Sequence, residues 1–213
     1  MPGRRSKQVL RNPSIFDTFQ QIREDSGIAG QTTKENYEWF RKTINRNTYS
    51  EDYDQIRQQI LTDPKRHMNR FLLGNLYFFF YNQPDYKTTL PFYDTFPLLL
   101  LMRRTKNHMF GIDLHYIPPK RRLSVFLELL QFTNNKLLTR GTRIILPYEQ
   151  MKREKRWKIF KSCFRQYKIN NVQGKIINIS APDWPIAVNL PVERFKKMGK
   201  RSIWQQTLTE EMS

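Results

Sequence analysis

The spacing of apolar residues before residue 65 predicts short helices. Thr32 and Glu35 have the spacing of a capping box, and the apolar residues after them recur on one helical face. A further short helix is predicted to turn Ile60 inward and to close at Pro64. Residues 13–65 are therefore predicted to form a helical region, preceded by a disordered basic tail over 1–12.

From about residue 70 the pattern changes to short apolar or alternating runs, which favour strands. Strands are predicted at 71–82, 96–102, 110–116, 175–180 and 185–190. In the third of these runs, alternation predicts one buried and one exposed face.

Residues 103–108 are predicted to form a hairpin tip, and a helix is predicted after Pro118-Pro119 with Leu123, Phe126 and Leu130 inside. Short strands with inserted helices indicate an α+β fold, built on a small, strongly bent β-sheet or an SH3-like barrel. The core domain is predicted over 66–195, followed by a C-terminal tail over 196–213.

Charge narrows the choice of partner. The 213 residues include 37 Lys+Arg and 19 Asp+Glu, a net charge of +18, which favours nucleic acid or an anionic membrane as partner. Nucleic acid is preferred, because no basic segment has the continuous apolar face of an interfacial helix. The run 96–102 is too short to span a bilayer. With a single cysteine and no signal peptide, the chain is expected to be a soluble protein made in a cytosol.

The densest basic segment, 151–168, is predicted to be a helix with Trp157, Phe160 and Phe164 on its buried face. The adjoining cations would follow a phosphate backbone, although a solvated helix face is the competing interpretation. Binding is favoured because this run is one of several. The predicted nucleic-acid contacts are Arg103, Arg104, Lys106, Lys120, Arg121, Arg122, Lys152, Lys155, Arg156, Lys158, Lys161, Arg165, Lys168, Lys196, Lys197, Lys200 and Arg201.

The cations at 120–122 stand in the first turn of a predicted helix, where the helix dipole is already positive. Either an anion docks there, or Pro119 sets the helix start and solvent screens the charges. The aromatic run 77–81 is interpreted as core, with a base-stacking platform as the alternative.

Signals of catalysis are weak. The histidines at 67, 108 and 115 share no ligand spacing, Cys163 is interpreted as an inert structural thiol, and no glycine-rich phosphate loop is present. We therefore expect no enzyme, metal or cofactor, although a nuclease with dispersed site residues stays open as a third class.

Four segments carry a resemblance to a known family. LPFYDTFPLLLLM at 90–102, FGIDLHYIPPKRR at 110–122, FLELLQFTNNK at 126–136 and APDWPIAVNLPVERF at 181–195, with Ile203-Trp204, resemble the DNA end protectors of myoviruses, a group of tailed bacteriophages. The likeness covers roughly residues 35 to 205, and its residues are of core and turn type. The hairpin at 103–108 is more basic than this family pattern.

The resemblance implies a virion protein that binds the ends of packaged linear double-stranded DNA and shields them from host exonuclease without catalysis. It implies portal or neck proteins as further partners, and a location in the virion and in the host cytoplasm. The alternative is a structural neck, head-completion or baseplate protein that contacts other virion proteins.

Overall fold

A computed structural model of the chain describes residues 58, 60–68, 70–84, 90–134, 139–145 and 162–212. These ranges contain helices and antiparallel strands, so the α+β class is confirmed. The predicted basic tail and most of the predicted helical region lie outside the described residues. Ile60 is fully buried, as predicted, and Pro64 begins a short 3-10 helix capped by the Asp63 carboxylate.

The main sheet has six strands in the order β1-β7-β2-β4-β5-β6, and a separate two-stranded sheet pairs β3 with β8. The strands are β1 (His67–Met68), β2 (Leu76–Tyr81), β3 (Tyr93–Asp94), β4 (Leu98–Arg104), β5 (His108–Asp113), β6 (Phe164–Lys168), β7 (Val172–Ile179) and β8 (Phe195–Lys196). All of these pairings are antiparallel.

The main sheet is strongly bent. Two strands separate β6 from β2, so the two would lie about 14 Å apart in a flat sheet. Instead the ring centroids of Tyr167 and Tyr81 are 4.8 Å apart, and the Lys168 N–H donates to the Tyr81 hydroxyl at 3.1 Å. The bend confirms the prediction, but among the described residues β1 and β6 remain edges and no ladder closes a barrel.

Each face of the bent sheet has its own apolar core. The concave face holds aromatic residues of β2 and β6, including Phe79, Tyr81 and Tyr167. The other face is covered by α1 (Pro119–Leu129), α2 (Trp184–Asn189) and α3 (Lys200–Met212). Phe126 of α1 is fully buried and meets Trp184 edge to face, with 5.9 Å between ring centroids. None of the described helices has the length and apolar character needed to cross a membrane.

Two predictions of element type were wrong. Residues 185–190, predicted as a strand, belong largely to α2, in which Trp184 through Val188 are all buried. A short apolar run buried on every side has no period that separates helix from strand. Residues 164–168, predicted as the end of a helix, form the edge strand β6. Phe164 and Tyr167 pack into the cores on opposite faces of the sheet, so pairing with β5 rather than a local period makes this segment a strand.

Two further elements depart from the prediction in degree. The strand predicted at 110–116 forms over 108–113, whereas Leu114–Tyr116 is a 3-10 helix. Gly111, Asp113 and His115 are buried rather than exposed. The sheet therefore has cores on both faces at this strand. The segment predicted as a tail contains α3, whose Ile203 and Thr207 are buried.

Replacing Gly111 by Ala should destabilise the fold by about 3 kcal/mol or more. A Cβ at this position would lie 2.0 Å from the Leu100 carbonyl oxygen, so β4 and β5 would have to separate. Gly141→Ala is the matched control, since its Cβ would meet its nearest neighbour at 3.8 Å. Urea titration of both variants checks this, and equal midpoints would contradict it.

Candidate nucleic-acid interface

Four of the predicted contacts gather at one end of the sheet. Arg103 and Arg104 end β4, Lys106 lies in the turn, and Lys168 stands opposite His108 in the β5–β6 ladder. All four side chains are exposed. We call these residues the hairpin cluster.

The hairpin cluster is carried by an ordered turn. The Thr105 N–H donates to the His108 carbonyl at 2.9 Å, and the His108 N–H donates to the Thr105 hydroxyl at 3.1 Å. The guanidinium of Arg103 lies 5.5 Å from the Phe110 ring centroid. That of Arg104 lies 5.9 Å from Phe71. Aromatic rings thus support both arginines while their charge stays in solvent.

A second group, Lys196, Lys197, Lys200 and Arg201, forms what we call the C-terminal cluster. All four are exposed. Lys196 pairs with Tyr93 in the β3–β8 ladder. The Lys197 ammonium donates to the Leu90 carbonyl at 2.6 Å, and that of Lys200 lies 5.6 Å from the Trp204 ring centroid. Arg194, an exposed cation just before this cluster, was not among the predicted contacts.

Arg122 is the clear correction to the predicted contacts. It is fully buried and its Nη2 donates to Glu193 Oε1 at 2.6 Å. Its other nitrogens donate to the backbone carbonyls of Ile117 and Val188, each at 3.2 Å. The side chain therefore has no free surface for a phosphate and instead ties α1 to the segment after α2.

The Arg122 pair also accounts for part of the basic triplet at the start of α1. Burial alone would oppose ionisation of Glu193, but the nearby Arg122 and then His115 hold the pKa of that carboxyl below its ordinary value. One cation of the triplet is thus a core group facing an internal carboxylate. Arg121 is exposed on α1 and stays a predicted contact, as does Lys120.

The segment 151–168 is only partly described. Lys152, Lys155, Arg156, Lys158 and Lys161 lie outside the described residues, so their predicted role stays a prediction. Arg165 lies on β6 and is half-buried, with its guanidinium 3.9 Å from the Tyr116 ring centroid. Arg165 therefore packs against an aromatic ring of the fold as well as carrying a positive charge.

The aromatic run 77–81 is mainly core, as interpreted from the sequence. Tyr77, Phe78, Phe79 and Tyr81 are each at most 7% exposed, whereas Phe80 is 41% exposed. Cys163 is likewise fully buried, and burial raises the pKa of its thiol to about 12. Burial and the raised pKa both disfavour the reactive thiolate, which supports the structural role predicted for this thiol.

The structure brings together a buried polar cluster that sequence reasoning missed. His115 Nδ1 lies 2.6 Å from Asp94 Oδ2, and both side chains are fully buried. The Tyr167 hydroxyl donates to Asp113 Oδ2 at 2.6 Å, and the His115 N–H donates to Asp113 Oδ1 at 3.1 Å. These residues come from β3, β5, β6 and the turn after β5, so no local spacing could have shown the cluster.

The ligand atoms of Asp94, Asp113 and His115 lie within 4.8 Å of one another, which raises the question of a metal ion. Hydrogen bonds already engage the carboxylate oxygens. Asp94 Oδ1 accepts from the backbone N–H groups of Phe96 at 2.8 Å and Arg194 at 3.1 Å, and its Oδ2 faces His115. We therefore interpret the three residues as a structural hydrogen-bonded network.

Three of the four segments that carry the family resemblance, together with Ile203-Trp204, converge on this network. Asp94 belongs to the first, Asp113 and His115 to the second, and the Arg194 N–H to the one around Trp184. The Ile203-Trp204 pair contributes the indole N–H of Trp204, which donates to the His115 carbonyl at 2.9 Å. The resemblance thus follows the residues that hold the fold together, as the core and turn character of its motifs indicated.

Fold and surface together define a basic α+β protein whose described exposed cations include two clusters, an arrangement typical of a nucleic-acid-binding protein. The family model of the phage T4 terminal DNA protecting protein matches residues 3–211, and the chain belongs to that family. The family is one of phage proteins that protect DNA ends. No curated protein and no solved structure gives a significant match.

Replacing Asp113 by Asn should remove a pH dependence of stability. Burial and then the charge of Asp94 raise the pKa of Asp113 from 3.8 to about 6. As the pH rises, this carboxyl ionises at a lower pH in the unfolded chain than in the folded protein. Its contribution to the unfolding free energy is therefore fully present below about pH 4 and is lost as the pH rises through 6. Relative to the Asn variant, the wild type should lose about 3 kcal/mol of unfolding free energy between pH 4 and 7. Parallel denaturation profiles would contradict this.

Arg122→Ala should destabilise the protein by about 3–5 kcal/mol, because it leaves the Glu193 carboxylate buried without its partner. Arg121→Ala, at the neighbouring exposed position, is the control and should cost less than about 1 kcal/mol. Thermal melts of the two variants give the comparison. If the Arg122 variant melts like the wild type and instead loses DNA affinity, the assignment of Arg122 to the core is wrong.

Proposed function

We propose that this protein binds the ends of linear double-stranded phage DNA, packaged in the virion, and blocks host exonuclease without itself cutting DNA. The observation that carries the proposal is the family match over residues 3–211. The hairpin and C-terminal clusters supply exposed cations for phosphate contact, independent of base sequence. The protein would travel in the virion and act in the host cytoplasm after injection.

Non-catalytic action is supported by the chemistry of the described residues. The one group of metal-ligand side chains among them is buried and internally hydrogen-bonded. The thiol of Cys163 is buried with a raised pKa. Neither group meets solvent, where a DNA backbone would have to lie.

A second function, contact with portal, neck or baseplate proteins, is favoured by an exposed apolar surface. Leu72 and Leu73 are 42% and 53% exposed, and Ile145 is 64% exposed. The Ile144 N–H donates to the Gly74 carbonyl at 3.0 Å, which brings these two segments side by side. Such a patch suits a protein partner rather than a phosphate backbone.

DNA binding should be salt-dependent and nearly indifferent to sequence. If about six phosphates are neutralised, log K should fall with log salt at a slope of roughly −5. Converting Arg103, Arg104 and Lys106 to Gln should make that slope less negative by about two to three. The equally charged control converts the exposed Lys65, Arg140 and Lys175 to Gln and should change it less. A salt-independent affinity, or equal effects of both triples, would count against the hairpin cluster.

End protection should be visible in an exonuclease assay. Protein is titrated against a linear duplex with a processive exonuclease, and in parallel against a nicked circle. An end protector should block digestion of the linear duplex near one protein per terminus, well before the DNA is coated. Equal protection of both substrates at equal mass ratio would indicate a generic DNA-coating or neck protein. Metal-dependent cleavage by the protein alone would indicate a nuclease.

A further inference from the structure

Phe80 is an exposed aromatic ring on a strand whose other aromatic residues are buried. Its ring centroid lies 4.6 Å from that of Phe96. Phe96 in turn stacks on Phe78, with 5.2 Å between centroids and 2° between ring planes. Phe80 is therefore the exposed member of a row of three contacting aromatic rings, and its position is fixed by packing on Phe96.

Arg194 completes the surface around this ring. Its guanidinium carbon lies 5.5 Å from the Phe80 centroid and 5.6 Å from the Phe96 centroid. The backbone of Arg194 is fixed, since its N–H donates to Asp94 at 3.1 Å. Its carbonyl accepts from the Thr95 N–H and hydroxyl, both at 2.9 Å. Arg194 is exposed, and the exposed Lys196 follows two residues later.

On the side of β7, Phe80 is bordered by exposed residues. Gln173 is its partner in the β2–β7 ladder, and the register shifts between Phe78 and Phe80. Gln173 and Gly174 are exposed, and a Cβ at Gly174 would meet nothing within 4 Å. Because Phe80 is 41% exposed, part of its ring remains open to a flat ligand.

An aromatic ring beside fixed cations matches the chemistry of a nucleobase attached to a phosphate. In the interior of a duplex both faces of every base pair are covered by stacking. At an end, one face of the last pair is bare. A surface that stacks on base faces therefore separates an end from internal DNA, which phosphate contacts alone cannot do.

We propose that Phe80 and Arg194 form a platform that stacks on the terminal base pair of duplex DNA, with Lys196 beside the terminal phosphates. This inference rests on the proposed function and deepens it, because it assigns the preference for an end to one ring. A protein partner on the same surface is the alternative that the test separates.

The test compares a short blunt duplex with a dumbbell of the same sequence, whose ends are closed by hairpin loops. The duplex carries a fluorescent adenine analogue in its terminal pair. The wild type should bind the open duplex about tenfold more tightly than the dumbbell and should change the fluorescence of the terminal base. Phe80→Ala should abolish both effects and leave the affinity for the dumbbell unchanged.

Two variants serve as controls. Leu73→Ala removes an exposed apolar side chain of the other surface and should keep the preference for open ends. Phe80→Leu keeps an apolar side chain but has no aromatic face, so it should behave like Phe80→Ala. Far-ultraviolet circular dichroism and thermal melts establish that each variant is folded.

The outcomes separate the platform from the proposed function. If Phe80→Ala and Phe80→Leu are folded and retain the preference for open ends, the platform is wrong while end binding stands. If the wild type binds duplex and dumbbell equally and does not protect the open duplex from exonuclease, the proposed function fails as well. If the Phe80 variants keep every DNA property, the platform is likewise overturned and a protein partner is the remaining candidate for this ring.

Discussion

The buried contact between Asp94 and His115 is the interaction on which the remaining structure depends. A carboxylate and an imidazole that are both removed from water are stable together only when their hydrogen bonds are made. Here one oxygen of Asp94 faces Nδ1 of the imidazole and the other receives two backbone N–H groups. The other ring nitrogen of His115, Nε2, has no hydrogen-bond partner among the described residues. The pair therefore fixes β3, the turn after β5 and the approach to β8 at once.

The same network sets where the exposed cations stand. The N–H of Arg194 is bound to Asp94, and β8 then pairs with β3, which places Lys196 opposite Tyr93. A nearby buried ion pair, Arg122 with Glu193, anchors α1 to the same segment. The basic surface is thus carried by a chain that is fixed from within.

A net charge of +18 disfavours a compact state through self-repulsion. The protein moderates this cost by several means in the described residues. Arg122 is neutralised internally, Arg66 pairs with Asp183 at 2.6 Å, and arginines such as Arg165 lie over aromatic rings. The hairpin and C-terminal clusters keep most of their charge in solvent, where an anionic polymer would relieve it.

Much of the fold followed from the sequence alone. Long aromatic or alternating runs determined β2, β4, β5 and β7, and Pro118-Pro119 together with helical spacing determined α1, because these signals are local. Tertiary contacts decided the rest. The apolar run of α2 is buried on every side and has no diagnostic period. Residues 164–168 form a strand because they pair with the edge of the sheet at β5. Among cations of one triplet, Arg122 turned inward only because Glu193, 71 residues away in the chain, meets it there. The composition determined that positive charge would be exposed. Burial and long-range pairing decided which cations are exposed, because both depend on neighbours that are distant in the sequence.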